Sequence, residues 1–499
     1  MQNEEKNALS LERILVGSTK QEIGKEKKVL LLSGGLDSSV IGKILSNEGI
    51  EFVCSFAGIK DFSEPKDLAF AIKAAGEMRR ELKINLVSME EFEFELPKII
   101  RIIGTANPVS VGAAATFYFA SKKIQKGSTV FTGAGADELF AGYNSFRKAA
   151  NTNEQCRKLY KKMLKTDLLF EKSIAKNFGL KLKTPYVSKR LSNFALNLAP
   201  IQKISGEENK KILREFAINA GLSREIALRP KKAAQYGSNF DRALEKLARK
   251  NGFKTKTEYL KSIQKNSKTK IGALVSTGKD SIYALYCMQK QGFEIACIIT
   301  IDSHNKDSYM FHAPEVKLAK LQAKALGLDK KLIVIKTKGE KEKELKELEK
   351  AIVLAKKKYK IKGITSGALF SEYQKSRVEK ICAKLKLRSL APLWHKNQLE
   401  YLKEIIATGF EIIITKIACY GLNEHWLGRK IDSDAIAELE LLEKRFRINV
   451  AGEGGEYESL VLGAPNFSKK IWIEKSEKTM RNEFTGTFKI KKVILRTKL

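Results

Sequence analysis

Cysteine and histidine are scarce, at six and four of 499 residues, and long apolar runs are missing altogether. Cys54, Cys156, Cys287, Cys297, Cys382 and Cys419 are scattered with no CxxC pair, which excludes a disulfide framework and a cysteine zinc site. The histidines show no HExxH or comparable spacing, which argues against a histidine metal centre. No run approaches the ~18 apolar residues that a membrane helix needs. The opening MQNEEKNALS is polar and acidic, so no secretory leader is expected, and the reading is a cytoplasmic protein without a membrane.

Basic charge, by contrast, is abundant. Lys and Arg number 92 against 57 Asp and Glu, a formal net charge of +35. Such a balance attracts nucleic acid, ribosomes or an acidic partner. It equally describes solvated lysine-rich helix faces such as KGEKEKELKELEK at 338–350. RNA or ribosome contact through a basic surface is therefore an open expectation. The length suits two or three domains of ~100–200 residues.

The chain carries an internal repeat. KKVLLLSGGLDSSVIGKIL begins at Lys27 and KIGALVSTGKDSIYALYCM at Lys270. Each reads as a short apolar strand, a Ser/Gly turn, Asp-Ser, and an amphipathic helix, followed by another apolar strand (50–56 and 294–301). Strand, loop, helix, strand opens a parallel α/β sheet. The junction is expected in the polar stretch 254–270.

In the first loop, Ser33, Gly34 and Gly35 let backbone amides approach a phosphate, and the following helix aims its positive end at the anion. Ser38 and Ser39 add hydroxyls, and Asp37 acts through magnesium. In the second, Ser276, Thr277, Gly278, Lys279, Asp280 and Ser281 do the same work. The alternative is a tight strand–helix turn capped by Ser and Asp. SGGLDSS at 33–39 and STGKDS at 276–281 resemble the PP-loop of ATP pyrophosphatases, which implies ATP and Mg2+. Thr277 replaces a glycine of that pattern. If the position needs φ > 0, its Cβ costs ~1–2 kcal/mol.

Residues from about 20 to 260 resemble the synthetase domain of asparagine synthetase. TGAGADELFAGY at 132–143 is similar to its second signature, and TPYVSKRLSNFALNLAP, KKILREFA and RPKKAAQYGS follow in the family's order. The resemblance implies that Asp37 and Asp137 hold magnesium pyrophosphate and that Lys231 stabilises an adenylate. Ala134 departs from it, standing where the family carries the glutamate that helps ammonia attack. With no glutamine-hydrolysing domain ahead of this part, ammonia is expected as free ammonium or from a donating partner.

Residues 270–499 resemble diphthine–ammonia ligase through five motifs in order. They are DSYMFHAPE (307–315), TKGEKEKEL (337–345), GITSGALFSEYQKSRVEKICAKLKLRSLAPLWHKNQ (363–398), GLNEHWLGRKID (421–432) and AGEGGEYESLVLGAP (451–465). The resemblance implies an ATP-dependent, AMP-forming amide ligase acting on diphthine of elongation factor 2 through an acyl-adenylate, with Asp280 and Lys279 catalytic and Asp280 on metal. Tyr373, Arg377, Trp394, Gln398, Trp426, Glu453, Glu456 and Glu458 are the expected substrate residues. Crowded carboxylates in GEGGEYES are costly unless cations occupy them. Trp394, Trp426 and Tyr457 are candidates to cage the trimethylammonium of diphthine; ordinary packing is the alternative for the tryptophans. His395 and His425 are general bases or structural.

The expected architecture is α/β: two Rossmann-like PP-loop domains in tandem with a smaller α/β C-terminal subdomain, divided as 1–263, 264–362 and 363–499. Competing functional readings are an asparagine-synthetase-like amidation by the first half, a PP-loop tRNA-modifying enzyme, and an ATP-binding scaffold.

Overall fold

The structure, a computed structural model, describes residues 2–21, 23–231, 233–303, 316–337 and 343–497. The motif at 307–315 and positions 338–342 of TKGEKEKEL lie outside the described residues. Two compact units divide the chain, Met1–Gln264 and Lys265–Leu499.

In the first unit, β1 (Lys28–Leu31), β2 (Val53–Ile59), β3 (Leu82–Val87), β4 (Thr129–Phe131) and β5 (Lys181–Lys183) form one sheet in the order β3-β2-β1-β4-β5. Every pairing is parallel. Strands covered on both faces read as apolar runs, as β2 (VCSFAGI) and β4 (TVF) do. Helix α1 (Leu36–Asn47) leaves β1, α2 (Ala136–Leu139) follows β4, and α3 (Asp167–Phe178) precedes β5. The chain runs outward from β1 through β2 to β3 and then returns to the other side at β4. Ligands of such sheets bind beyond the strand ends where the order reverses.

The second unit repeats this topology. There β6 (Lys270–Leu274), β7 (Glu294–Ser303), β8 (Leu332–Thr337), β9 (Gly363–Thr365) and β10 (Arg388–Leu390) run parallel in the order β8-β7-β6-β9-β10. Strands β9 and β10 belong to this sheet, so a boundary at 362/363 falls inside it. Helices α4 (Lys279–Lys290), α5 (Val316–Ala325) and α6 (Glu372–Lys384) accompany it. Beyond α7 (Gln398–Ala407), an antiparallel sheet is built from β11 (Glu411–Ala418), β12 (Tyr457–Gly463), β13 (Lys469–Asn482) and β14 (Thr485–Thr497), in the order β12-β11-β14-β13. The 14-residue β13 is its open edge.

The 254–270 stretch is a helix for most of its length, Lys256–Asn266, because Tyr259, Leu260 and Ile263 bury one stripe beneath its lysines. Among the described residues no helix is long and apolar enough to cross a membrane.

Candidate active sites

The first loop is shaped by Gly34, at φ +68, where a Cβ would lie 2.4 Å from the Ala71 nitrogen. Only glycine fits. Gly35 is extended and opens α1, and the Ser39 hydroxyl donates to the Gly35 carbonyl at 2.9 Å. Ser38 makes the same bond at 3.4 Å. The N-terminal end of α1 therefore faces the space beyond β1.

The TGAGADELFAGY loop leaves the neighbouring strand and packs on this one: a Cβ on Gly133 would meet Asp37 Cβ at 2.8 Å. It brings Asp137 beside Asp37. Lys210 is left-handed at φ 61 and nearly fully buried, and its Nζ lies 2.6 Å from both Asp37 Oδ1 and Asp137 Oδ1. Lys231 pairs with Asp137 Oδ2. Burial alone would raise the Asp137 pKa, but the two ammonium groups hold it below the usual carboxylate range. The same pairing, led by Asp137, raises Lys231 against its burial. Burial and the Asp137 charge push Glu138 up to about 7, while the Tyr143 hydroxyl donates to it at 2.5 Å. Arg229 donates to the Ser33 carbonyl at 3.3 Å and to Asp67 Oδ1 at 2.5 Å. Asp37, Asp67, Asp137, Lys210, Arg229 and Lys231 line a cavity of about 270 Å³.

In the second unit Thr277 adopts φ 70, matching Gly34, so the loop keeps its backbone without the glycine. The strained residue is clamped: its carbonyl accepts from Gln322 Nε2 at 2.9 Å and from the Val461 amide at 3.2 Å. The Ser281 hydroxyl accepts from the Ser276 amide at 3.1 Å and donates to the Gly278 carbonyl at 3.1 Å. Asp280 is fixed on both oxygens, by Tyr401 Oη at 2.8 Å and Lys279 Nζ at 3.0 Å. Lys279 is 3 % exposed and also donates to the Ala451 carbonyl at 2.5 Å. Despite burial, the Asp280 charge raises its pKa.

The loop opens on a cavity of about 850 Å³ lined by Tyr373, Glu453, Tyr457 and Glu458. The three crowded carboxylates are compensated separately. Glu456 accepts from the Asn449 amide at 2.9 Å and the Gly454 amide at 2.8 Å, which ties its own loop. Glu458 accepts from Lys416 at 3.1 Å. Glu453 accepts from the Phe370 amide at 3.1 Å; burial and the nearby Asp280 push it up to about 7. Gln398 spans Asn449 and the Ala451 amide at 3.1 and 3.0 Å.

Of the three proposed cage aromatics, Tyr457 lines the cavity; Trp394 and Trp426 are not among its walls. Trp394 packs against His395 with Lys375 over its ring, and Trp426 lies under Arg429. Arg377 stacks on Tyr373 at 3.4 Å. Lys210, Arg229, Tyr401 and Gln322 were not singled out from sequence. Lys210 and Arg229 sit inside KKILREFA and RPKKAAQYGS and were findable there, whereas Tyr401 and Gln322 reach the loop from remote helices.

Two phosphate-cradling strand–loop–helix turns at equivalent points of two parallel sheets define tandem PP-loop nucleotide-binding domains. Family models agree: the diphthamide synthase N-terminal domain matches residues 269–389, its C-terminal domain 397–495, and asparagine synthase residues 11–162 and 151–265. The chain belongs to the diphthine–ammonia ligase family through its second unit and to the asparagine synthase family through its first. It is 35% identical over 228 residues to diphthine–ammonia ligase of Bos taurus, covering 42% of this chain and 84% of that protein. For the Homo sapiens relative the identity is 34% with the same coverage. A Methanocaldococcus jannaschii protein named as an asparagine synthetase is 28% identical over 288 residues, covering 49% of this chain and 52% of that protein.

Proposed function

We propose that the second unit is an AMP-forming ligase that converts diphthine on elongation factor 2, with ammonium and ATP, to diphthamide in the cytoplasm. The carrying observation is Asp280, held between Tyr401 and Lys279 where the phosphate loop meets the large cavity. The diphthine carboxylate attacks the α-phosphorus, an O–P bond forms, and pyrophosphate leaves. Ammonia then attacks the acyl carbon, and AMP departs with the C–O electron pair. The 276–281 loop and the α4 terminus take the phosphate charge. Glu453, Glu458, Tyr373 and Tyr457 line the cavity that would receive the trimethylammonium group.

Magnesium fits the donors present. Among the described residues no three His, Cys, Asp or Glu converge as a cage. The Asp37–Asp137 pair nevertheless already shares one cation, and magnesium uses one or two carboxylates with substrate phosphates. Asp37 and Asp137 would hold it in the first unit and Asp280 in the second, where it would neutralise pyrophosphate charge.

A second reading is kept for the first unit. The Asp37–Lys210–Asp137–Lys231 chain of charges supports an asparagine-synthetase-like amidation there.

The test is AMP formation from ATP and ammonium with diphthine-bearing elongation factor 2. Asp280→Ala should lower the rate by about 100-fold or more and Asp37→Ala should leave it unchanged. Loss in Asp37→Ala alone would reverse the assignment. No factor-dependent AMP from the unaltered protein would favour a tRNA substrate.

A further inference from the structure

In the first unit's cavity every carboxylate but one has a cation. Asp37 has Lys210, Asp137 has Lys210 and Lys231, and Asp67 has Arg229. Glu171, carried on α3, lines the same cavity, and among the described residues no Lys or Arg pairs with it. Its one hydrogen bond is neutral: Thr132 Oγ1 donates to Oε2 at 2.9 Å. That leaves Oε1 for whatever enters the cavity.

The place of this carboxyl is telling. Thr132 Oγ1 also accepts from the Ala134 amide at 3.5 Å, so Glu171 is one hydroxyl away from residue 134. At 134 the side chain is a methyl, and Glu171 fills the same corner of the site from another element. Thr132 and Ala134 follow β4, the strand beside the one that carries the phosphate loop, and Gly133 touches Asp37. A group held by Glu171 would therefore share the cavity that the first phosphate loop lines. The cavity that Glu171 lines mixes apolar walls such as Ala113 and Phe117 with the charged groups already named. A carboxylate with one neutral donor and no paired cation among the described residues is completed by a charged N–H donor.

We propose that Glu171 is the ammonium-binding group of the first unit, taking free ammonium or a small primary amine on Oε1. The bound ammonium passes one proton to the carboxylate, which becomes the neutral acid, and leaves ammonia with its lone pair free toward an activated carbonyl. Burial pushes the Glu171 carboxyl up to about 7, which makes it a better proton acceptor than an ordinary glutamate. This inference rests on the amidation reading of the first unit and is independent of the ligase reading of the second.

The experiment uses the full chain with Mg·ATP and 15N-ammonium chloride near neutral pH. It reads the 15N relaxation enhancement of the ion, in the unaltered protein and in Glu171→Gln. Melting and Mg·ATP affinity report on folding. A loss of at least about fivefold in the protein-dependent enhancement, with ATP affinity within about twofold, supports the site. Equal enhancement in both proteins, or none in the unaltered chain, overturns it. Should Glu171→Gln fail to fold, Glu171→Asp decides: a shorter carboxylate lowers the enhancement if Glu171 holds the ion and leaves it unchanged if it does not.

Discussion

Gly34 and Thr277 occupy the same left-handed position in two copies of one loop, at φ +68 and 70, yet they are not interchangeable. Around Gly34 the backbone closes in, with Ala71 N and Phe70 C at 2.4 and 2.5 Å from an added Cβ. Around Thr277 there is room for a side chain, and the cost is the dihedral alone. Gly34→Ala should therefore lose about 2–4 kcal/mol, from strain and clash together. Thr277→Gly should stay within about 1 kcal/mol, because relief of strain offsets the added freedom of the unfolded chain. Urea unfolding of both variants checks the asymmetry. The loop residues and Asp137 were legible from sequence because each motif is local. Glu171 was not, since its meaning depends on Thr132, 39 positions away. Nor was Tyr401, which reaches Asp280 across 121 positions.

At the scale of elements, α5 does what no motif announces. Gln322, 1 % exposed, spends its amide on the Thr277 carbonyl and the Val461 carbonyl, each at 2.9 Å. One side chain thus ties the helix, the phosphate loop and β12. Gln322→Leu keeps the volume but removes the donor, and should cost about 1–3 kcal/mol in urea unfolding while raising the KM for ATP. The parallel strands were readable as apolar runs bounded by turn residues. The 256–266 helix was hidden by its lysines, because its buried stripe is narrow and composition outweighs it. In the GEGGEYES loop the carboxylates differ: backbone amides hold Glu456 and Lys416 pairs with Glu458, whereas burial and Asp280 keep Glu453 raised.

Across the whole molecule, the repeat seen in two loops extends to two sheets of identical strand order. That order could not be taken from the loops, which fix only the first strand and helix of each copy. The net charge of +35 is likewise a property of the entire chain. RNA held by it through phosphate contacts should weaken by about tenfold or more between about 50 and about 200 mM salt, in a filter-binding titration with unrelated RNAs. A salt-insensitive, sequence-selective interaction would instead point to a dedicated RNA site. The same surplus of lysine acquires another meaning at the open strand β13. Among the described residues this strand pairs on one side only, and such an edge would ordinarily template a neighbour's backbone. Lys469, Lys475, Lys478 and Arg481 stand exposed along it, and its pairing register shifts around Lys475 and near Asn482. Basic residues outnumber the acidic Glu474 and Glu477 along the strand, so like charge and shifted register both disfavour edge-to-edge alignment of two copies, a safeguard against fibril-like self-assembly.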